Sequence, residues 1–175
     1  LWDGRAQKLM LARDVYGVRA LYYAEIAGKL LFASQASALF ADPALERRGD
    51  ELRIAEYLAR VFVDASRTFY RGIQRLPPAH VLIADRTRVT LRRYFAFDGS
   101  RALSLPDTGA YIEAFRATFE AAVRTRARSR GETSCMLSGG LDSSGVVAML
   151  KRLPPAQAVP CFSALFTDFP EIDEA

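Results

Sequence analysis

The residues best suited to chemistry stand together near the C-terminal end, where the apolar run Cys135-Met136-Leu137 breaks into Ser138-Gly139-Gly140-Leu141-Asp142-Ser143-Ser144 and resumes as "GVVAML". Two glycines allow a backbone turn at positive φ and a close approach of amides to an anion. Ser138, Ser143 and Ser144 offer hydroxyl donors, and the amides opening a following helix supply the positive end of its dipole. These are the parts of a phosphate cradle. Walker-type loops end in a lysine, but no lysine occurs between Lys29 and Lys151. Asp142 stands there instead. A carboxylate would repel a bare pyrophosphate, so its place in the loop implies Mg²⁺ bridging the two. The expected ligand is a magnesium pyrophosphate group.

Such a loop works only if a strand ends and a helix begins at it. Thr133–Leu137 reads as a short strand, Ser143–Arg152 as a helix stopped by Pro154-Pro155, and Val159–Phe166 as a second strand. Strand, helix and strand within so short a span predict a βαβ unit and the start of a parallel-sheet α/β domain, whose ligands bind at the carboxyl ends of the strands. Before it, Tyr111–Arg130 carries Ile112, Phe115, Phe119 and Val123 on one stripe, with arginines largely on other faces. Asp98–Thr108 has linker composition. Upstream, "KLMLARD" reads as a strand. "RALYYAEIAGKLLFASQ" reads as a hairpin turning near Ala27-Gly28-Lys29, and "AHVLIADRTRVTLRRYFAF" as one turning near Asp85–Arg88. Glu51–Phe62 reads as a helix with Ile54, Leu58 and Val61 on one face. Trp2, Tyr22, Tyr23 and Phe32 are expected in core or sheet packing.

The 175 residues are 50% hydrophobic and 11% aromatic, enough for a real core. Twenty-four Lys and Arg against 20 Asp and Glu give a net charge of +4, short of a nucleic-acid surface. No stretch approaches the roughly 18 apolar residues of a membrane helix. Cys135 and Cys161, the two cysteines, lie in apolar runs and read as reduced structural thiols, which implies a cytoplasmic protein. His80, the one histidine, follows two prolines at a strand start and reads as a structural or surface residue, and Arg13-Asp14 reads as an ion pair or turn.

"SGGLDSS" after an apolar strand resembles the signature of ATP pyrophosphatases, which split ATP between its α and β phosphates. Three upstream stretches narrow the resemblance to glutamine-hydrolysing asparagine synthetases: "ARDVYGVRALYY" (12–23), "LLFASQASALF" (30–40) and "TFYRGIQRLPPAHVLI" (68–83). The resemblance implies an α+β N-terminal part, an incomplete Ntn-hydrolase-like sandwich, followed by an incomplete α/β parallel-sheet ATP-pyrophosphatase domain. The expected division is a glutaminase-like part over 1–97, a linker over 98–109 and a synthase part over 110–175. It further implies that Leu137 lies at the adenosine and that Ser138, Gly139, Gly140, Leu141, Asp142 and Ser143 surround the pyrophosphate. Asp142 would bind Mg²⁺, and the backbone of Ala164 would meet the adenine. Asp173 and Glu174 match a recurrent acidic pair to which no chemistry is assigned.

The implied reaction is ATP-dependent amide formation by carboxylate adenylation, most specifically asparagine synthesis from aspartate and glutamine, with ATP and Mg²⁺ required. Alternatives are an amide cyclase of β-lactam or lasso-peptide type, or a nucleotide-binding protein without catalysis. The implied partners are small molecules, with no nucleic acid and no membrane. The chain opens at Leu1 without the N-terminal Cys that such glutaminases use as nucleophile, so it reads as part of a longer protein and is expected to be inactive alone. Ala20, Gln35 and Ala79 depart from the family's usual Pro, Glu and Gly.

Overall fold

A computed structural model describes residues 1–153 and 158–165. The chain falls into two compact units, Leu1–Arg101 and Ala102–Ala175. The first is mixed α/β with antiparallel sheets. One sheet has the order β1 (Trp2–Asp3), β2 (Lys8–Ala12), β6 (His80–Ala84), β7 (Val89–Arg93). The other has the order β4 (Lys29–Ala33), β3 (Tyr22–Ile26), β5 (Gln74–Arg75). Both expected hairpins form, and each turn has a local cause. Ala27 and Gly28 both have positive φ, 49° and 72°, as a two-residue hairpin connection favours. In the other turn the Asp85 carboxylate accepts from the amides of Thr87 and Arg88. One core cluster draws Leu11, Leu82 and Ala84 from the four-stranded sheet and Tyr23 from the three-stranded one, with Leu76 wholly buried among them. A second cluster gathers Ala24, Leu39, Leu45 and Ile73.

Helix α1 spans Glu51–Leu58, capped by the Asp50 carboxylate, which accepts from the Arg53 amide at 2.9 Å. It ends short of Phe62. Arg60 takes φ 56°, and the amides of Arg60 and Val61 bond the carbonyls of Tyr57 and Glu56, a Schellman closure. A residue with a Cβ meets a steric penalty there that glycine does not. Arg60→Gly is therefore expected to stabilise the unit by about 0.5–1 kcal/mol, read as a raised urea midpoint at unchanged slope.

The face of α1 also differs from expectation. Ile54, Leu58 and Val61 are exposed, and Arg53 is the buried residue. Its guanidinium lies 4.7 Å from the Phe62 ring centroid and 5.7 Å from that of Phe69, and pairs with Glu56 at 3.2 Å. Stacking on two rings lets a cation take the inward side. Tyr23 is buried and Tyr22 half-buried, whereas Trp2 and Phe32 are exposed: Trp2 sits on the short edge strand β1, and Phe32 on β4 at the rim of its sheet.

Arg13 and Asp14 do not pair with each other. The buried Arg13 guanidinium donates to the carbonyls of Arg19 (2.9 Å), Leu76 (2.8 Å) and Gly17. Asp14 accepts from the amides of Val18 and Arg19 at 3.0 and 3.1 Å, which hold its carboxyl below the usual carboxylate range. Gly17, at φ 65°, is required: a Cβ would lie 2.8 Å from Pro78 Cγ and 2.9 Å from Arg13 Cζ. The segment 13–19 is thus a loop built around a cation bound by carbonyls. His80 places Nδ1 2.7 Å from the Pro78 carbonyl, a structural contact. Ala79 takes φ 58°, the left-handed conformation that the family's glycine would meet without strain.

The second unit holds α2 (Thr108–Arg126), β8 (Cys135–Met136), α3 (Leu141–Arg152) and β9 (Cys161–Phe162). Asp107 caps α2, its carboxylate accepting from Ala110 at 2.8 Å. Val123, Met149 and Leu153 form the buried cluster between the helices, with Phe119 and Leu150 against it. Ile112 and Phe115, from the same stripe, are exposed. Arg116 and Arg124 of α2 pair with Glu113 and Glu120 one turn away. Among the described residues no helix is long and apolar enough to cross a membrane. Pro154-Pro155, Phe166 and the Asp173-Glu174 pair lie outside the described residues.

Candidate functional site

β8 and β9 run parallel, joined through α3, so the chain forms the strand–loop–helix–strand path on which the glycine loop depends. The ladder extends into the loop: the Leu137 amide donates to the Phe162 carbonyl at 2.9 Å, and the Ser163 hydroxyl donates to the Leu137 carbonyl at 2.6 Å. Leu137 and the segment Ser163-Ala164 are therefore drawn to one place from opposite ends of the motif. Sequence reasoning does not single out Ser163. The signal available was a lone hydroxyl inside the apolar "CFSALF".

Beyond Leu137 the backbone turns at Gly139, whose φ of 87° is the left-handed conformation for which glycine is suited. Gly140 follows at φ −69° and ψ 160° as N-cap of α3, without a side chain to cap the helix itself. The helix starts two residues earlier than the expected Ser143, because glycine serves as cap where a hydroxyl or carboxylate would have signalled one. Two serines close the loop. The Ser143 hydroxyl donates to the Gly140 carbonyl at 3.1 Å and accepts from the Ser138 amide at 3.2 Å. The Ser138 hydroxyl lies 3.1 Å from Ser143 Oγ and accepts from the Gly140 amide at 3.4 Å. A hydroxyl has one hydrogen. With Ser143 donating to Gly140, Ser138 donates to Ser143, and both hydrogens go to holding the shape of the loop.

Besides the exposed Ser144 hydroxyl, the donors left for a ligand are backbone amides. The first helical bond of α3 runs from the Ser144 amide to the Gly140 carbonyl at 3.1 Å. The amides of Leu141, Asp142 and Ser143 precede it and have no acceptor within the helix. Asp142 in the first turn, with Lys151 and Arg152 in the last, follows the helix dipole. Its side chain is exposed and takes part in none of the ion pairs among the described residues. Leu141 beside it is 93% exposed. Of the residues singled out from the sequence, Ser138, Gly139, Gly140, Asp142 and Ser143 form one turn, Leu137 is its root, and Ala164 lies exposed next to Ser163.

The amide-lined turn follows the first strand of a parallel pair, and two antiparallel sheets precede it in the chain. A family model described as glutamine amidotransferase domain matches residues 1–95, and one described as asparagine synthase matches residues 114–175. The chain belongs to the glutamine-hydrolysing asparagine synthetase family. It is 30% identical over 154 residues to asparagine synthetase [glutamine-hydrolyzing] 3 of Bacillus subtilis, covering 85% of this chain and 24% of that protein. It is 31% identical over 156 residues to the amidase chyE of Penicillium rubens, covering 87% and 23%. To asparagine synthetase [glutamine-hydrolyzing] 2 of Bacillus subtilis it is 29% identical over 162 residues, covering 83% and 21%. The chain spans about a quarter of the length of these curated relatives.

Proposed function

We propose that this chain contributes the nucleotide-binding loop of an ATP-dependent amide-forming ligase that adenylates a carboxylate, with aspartate as acceptor and glutamine as the source of ammonia. The observation that carries the reading is the turn itself: helix-opening amides at Leu141–Ser143, a left-handed Gly139, and an exposed carboxylate at Asp142. Amides at that position suit the phosphates of ATP. The carboxylate suits Mg²⁺, which takes one or two protein carboxylates together with phosphate oxygens rather than a cage of side chains. Bound there, Mg²⁺ would draw charge onto the departing pyrophosphate.

In this reading Leu137 and Ala164 border the adenosine, and the amides of Gly139 and of Leu141 to Ser143 hold the pyrophosphate as negative charge grows on it. The acceptor carboxylate oxygen attacks the α-phosphorus while the bond to the β-phosphate oxygen breaks. Ammonia then attacks the acyl carbon and releases AMP. The ammonia-producing chemistry belongs to the glutamine amidotransferase part of the intact protein. A cytoplasmic location and the absence of nucleic-acid partners belong to the same reading. The 31% identity to the amidase chyE favours a second reading, in which the same loop serves a different acceptor.

The test is isotope exchange between ATP and pyrophosphate by the intact protein, with candidate carboxylates added singly. Exchange that depends on aspartate supports the first reading, and exchange that depends on another carboxylate supports the second. Exchange with none of them would overturn both.

A further inference from the structure

The chain has two cysteines, and the fold sets them opposite each other. Cys135 of β8 and Cys161 of β9 are Cα partners in the parallel ladder. Both are free thiols; Cys135 is half-buried and Cys161 exposed. Register partners on neighbouring strands present their side chains on the same face, at a strand spacing of about 4.8 Å. That lies within the roughly 4.4–6.8 Å Cα separation a disulfide spans. The Cys161 thiol donates to the Val159 carbonyl at 3.3 Å, a weak bond to the segment just ahead of β9, and the residue is exposed.

We infer that Cys135 and Cys161 are a reversible dithiol–disulfide site, oxidised by low-molecular-weight disulfides. The exposed Cys161 loses its proton to solvent and attacks one sulfur of the small disulfide, forming a mixed disulfide and releasing one small thiol. Cys135 then loses its proton and attacks the Cys161 sulfur, forming the Cys135–Cys161 bond and releasing the second small thiol. The protein gives up two electrons and two protons, and one small disulfide becomes two thiols. The Cβ atoms of a relaxed disulfide lie about 3.8 Å apart, closer than the spacing of parallel strands, so the bond pulls the ladder together and is readily reduced. Its place is the root of the glycine loop: Cys135 is three residues before Ser138, and Cys161 two before Ser163, which bonds Leu137. The inference stands on the strand register and does not depend on what the loop binds.

The test equilibrates the reduced intact protein with glutathione disulfide, blocks the remaining thiols, and maps the peptides by mass spectrometry. The expected product is a Cys135–Cys161 linked peptide pair lacking two hydrogens, with no glutathione retained on either residue and full reversal by dithiothreitol. Cys135→Ser is expected to stop at a glutathione adduct on Cys161. Retention of glutathione at either position in the unsubstituted protein, a link between two chains, or two thiols still open to alkylation would each overturn the inference, whether or not the serine variant folds.

Discussion

Replacing Asp142 by alanine in the intact protein is expected to lower ATP–pyrophosphate exchange by about 10²–10³-fold, the usual cost of removing one preorganised group that meets charge developing in the transition state. The fold gives little reason for a structural loss. The side chain is exposed in the first turn of α3, and its interaction with the helix dipole is worth only about 0.3–1 kcal/mol. A thermal melt of the variant should therefore stay close to that of the parent while exchange collapses. Asp142→Asn keeps an oxygen but not the charge, and should fall nearly as far if the carboxylate acts through a metal. His80→Ala is the counterpart. Its ring meets the Pro78 carbonyl in the other unit, and exchange should be unchanged. Equal losses from Asp142→Ala and His80→Ala would refute the assignment.

Arg13→Met is expected to destabilise the first unit by about 3 kcal/mol, because it strands the buried carbonyl of Leu76 and those of Arg19 and Gly17, and orphaned buried acceptors cost about 1–3 kcal/mol each before relaxation. For a unit of this size that corresponds to roughly 12–24 °C in Tm. Burial, with Arg75 nearby, lowers the proton affinity of the guanidinium, yet arginine stays charged at any working pH. Arg13→Lys tests geometry against charge. An ammonium cannot supply the planar fork that reaches three carbonyls at once, so it should recover less than half of the loss. Full recovery by lysine would show that charge alone matters.

Much of this architecture is legible in the sequence because local rules and tertiary demands agree. The hairpins announce themselves by apolar runs interrupted at Ala27-Gly28 and at Asp85–Arg88, and the strand leading into Ser138-Gly139-Gly140 by its break in hydrophobicity. What stays hidden depends on partners distant in sequence or on residues in uncharacteristic roles. Periodicity reveals a stripe on α1 but not that Arg53 lies inward beneath Phe62 and Phe69. The end of that helix is masked by Arg60 standing where glycine is usual, and the start of α3 by glycine standing where a serine is usual. The two thiols read as buried hydrophobes because their runs are apolar, yet Cys161 is exposed. The loop hydroxyls read as donors to a ligand, whereas Ser138 and Ser143 bond each other and the turn. Composition names the groups present, and only their geometry decides how each hydrogen is used.

The most direct measurement is a crystal structure of the intact protein with magnesium and pyrophosphate. Phosphate oxygens are expected at about 2.9 Å from the amides of Leu141, Asp142 or Ser143, and the metal at about 2.1 Å from an Asp142 carboxylate oxygen or one water removed from it. Pyrophosphate bound away from this turn, or a metal held with Asp142 taking no part, would contradict the assignment.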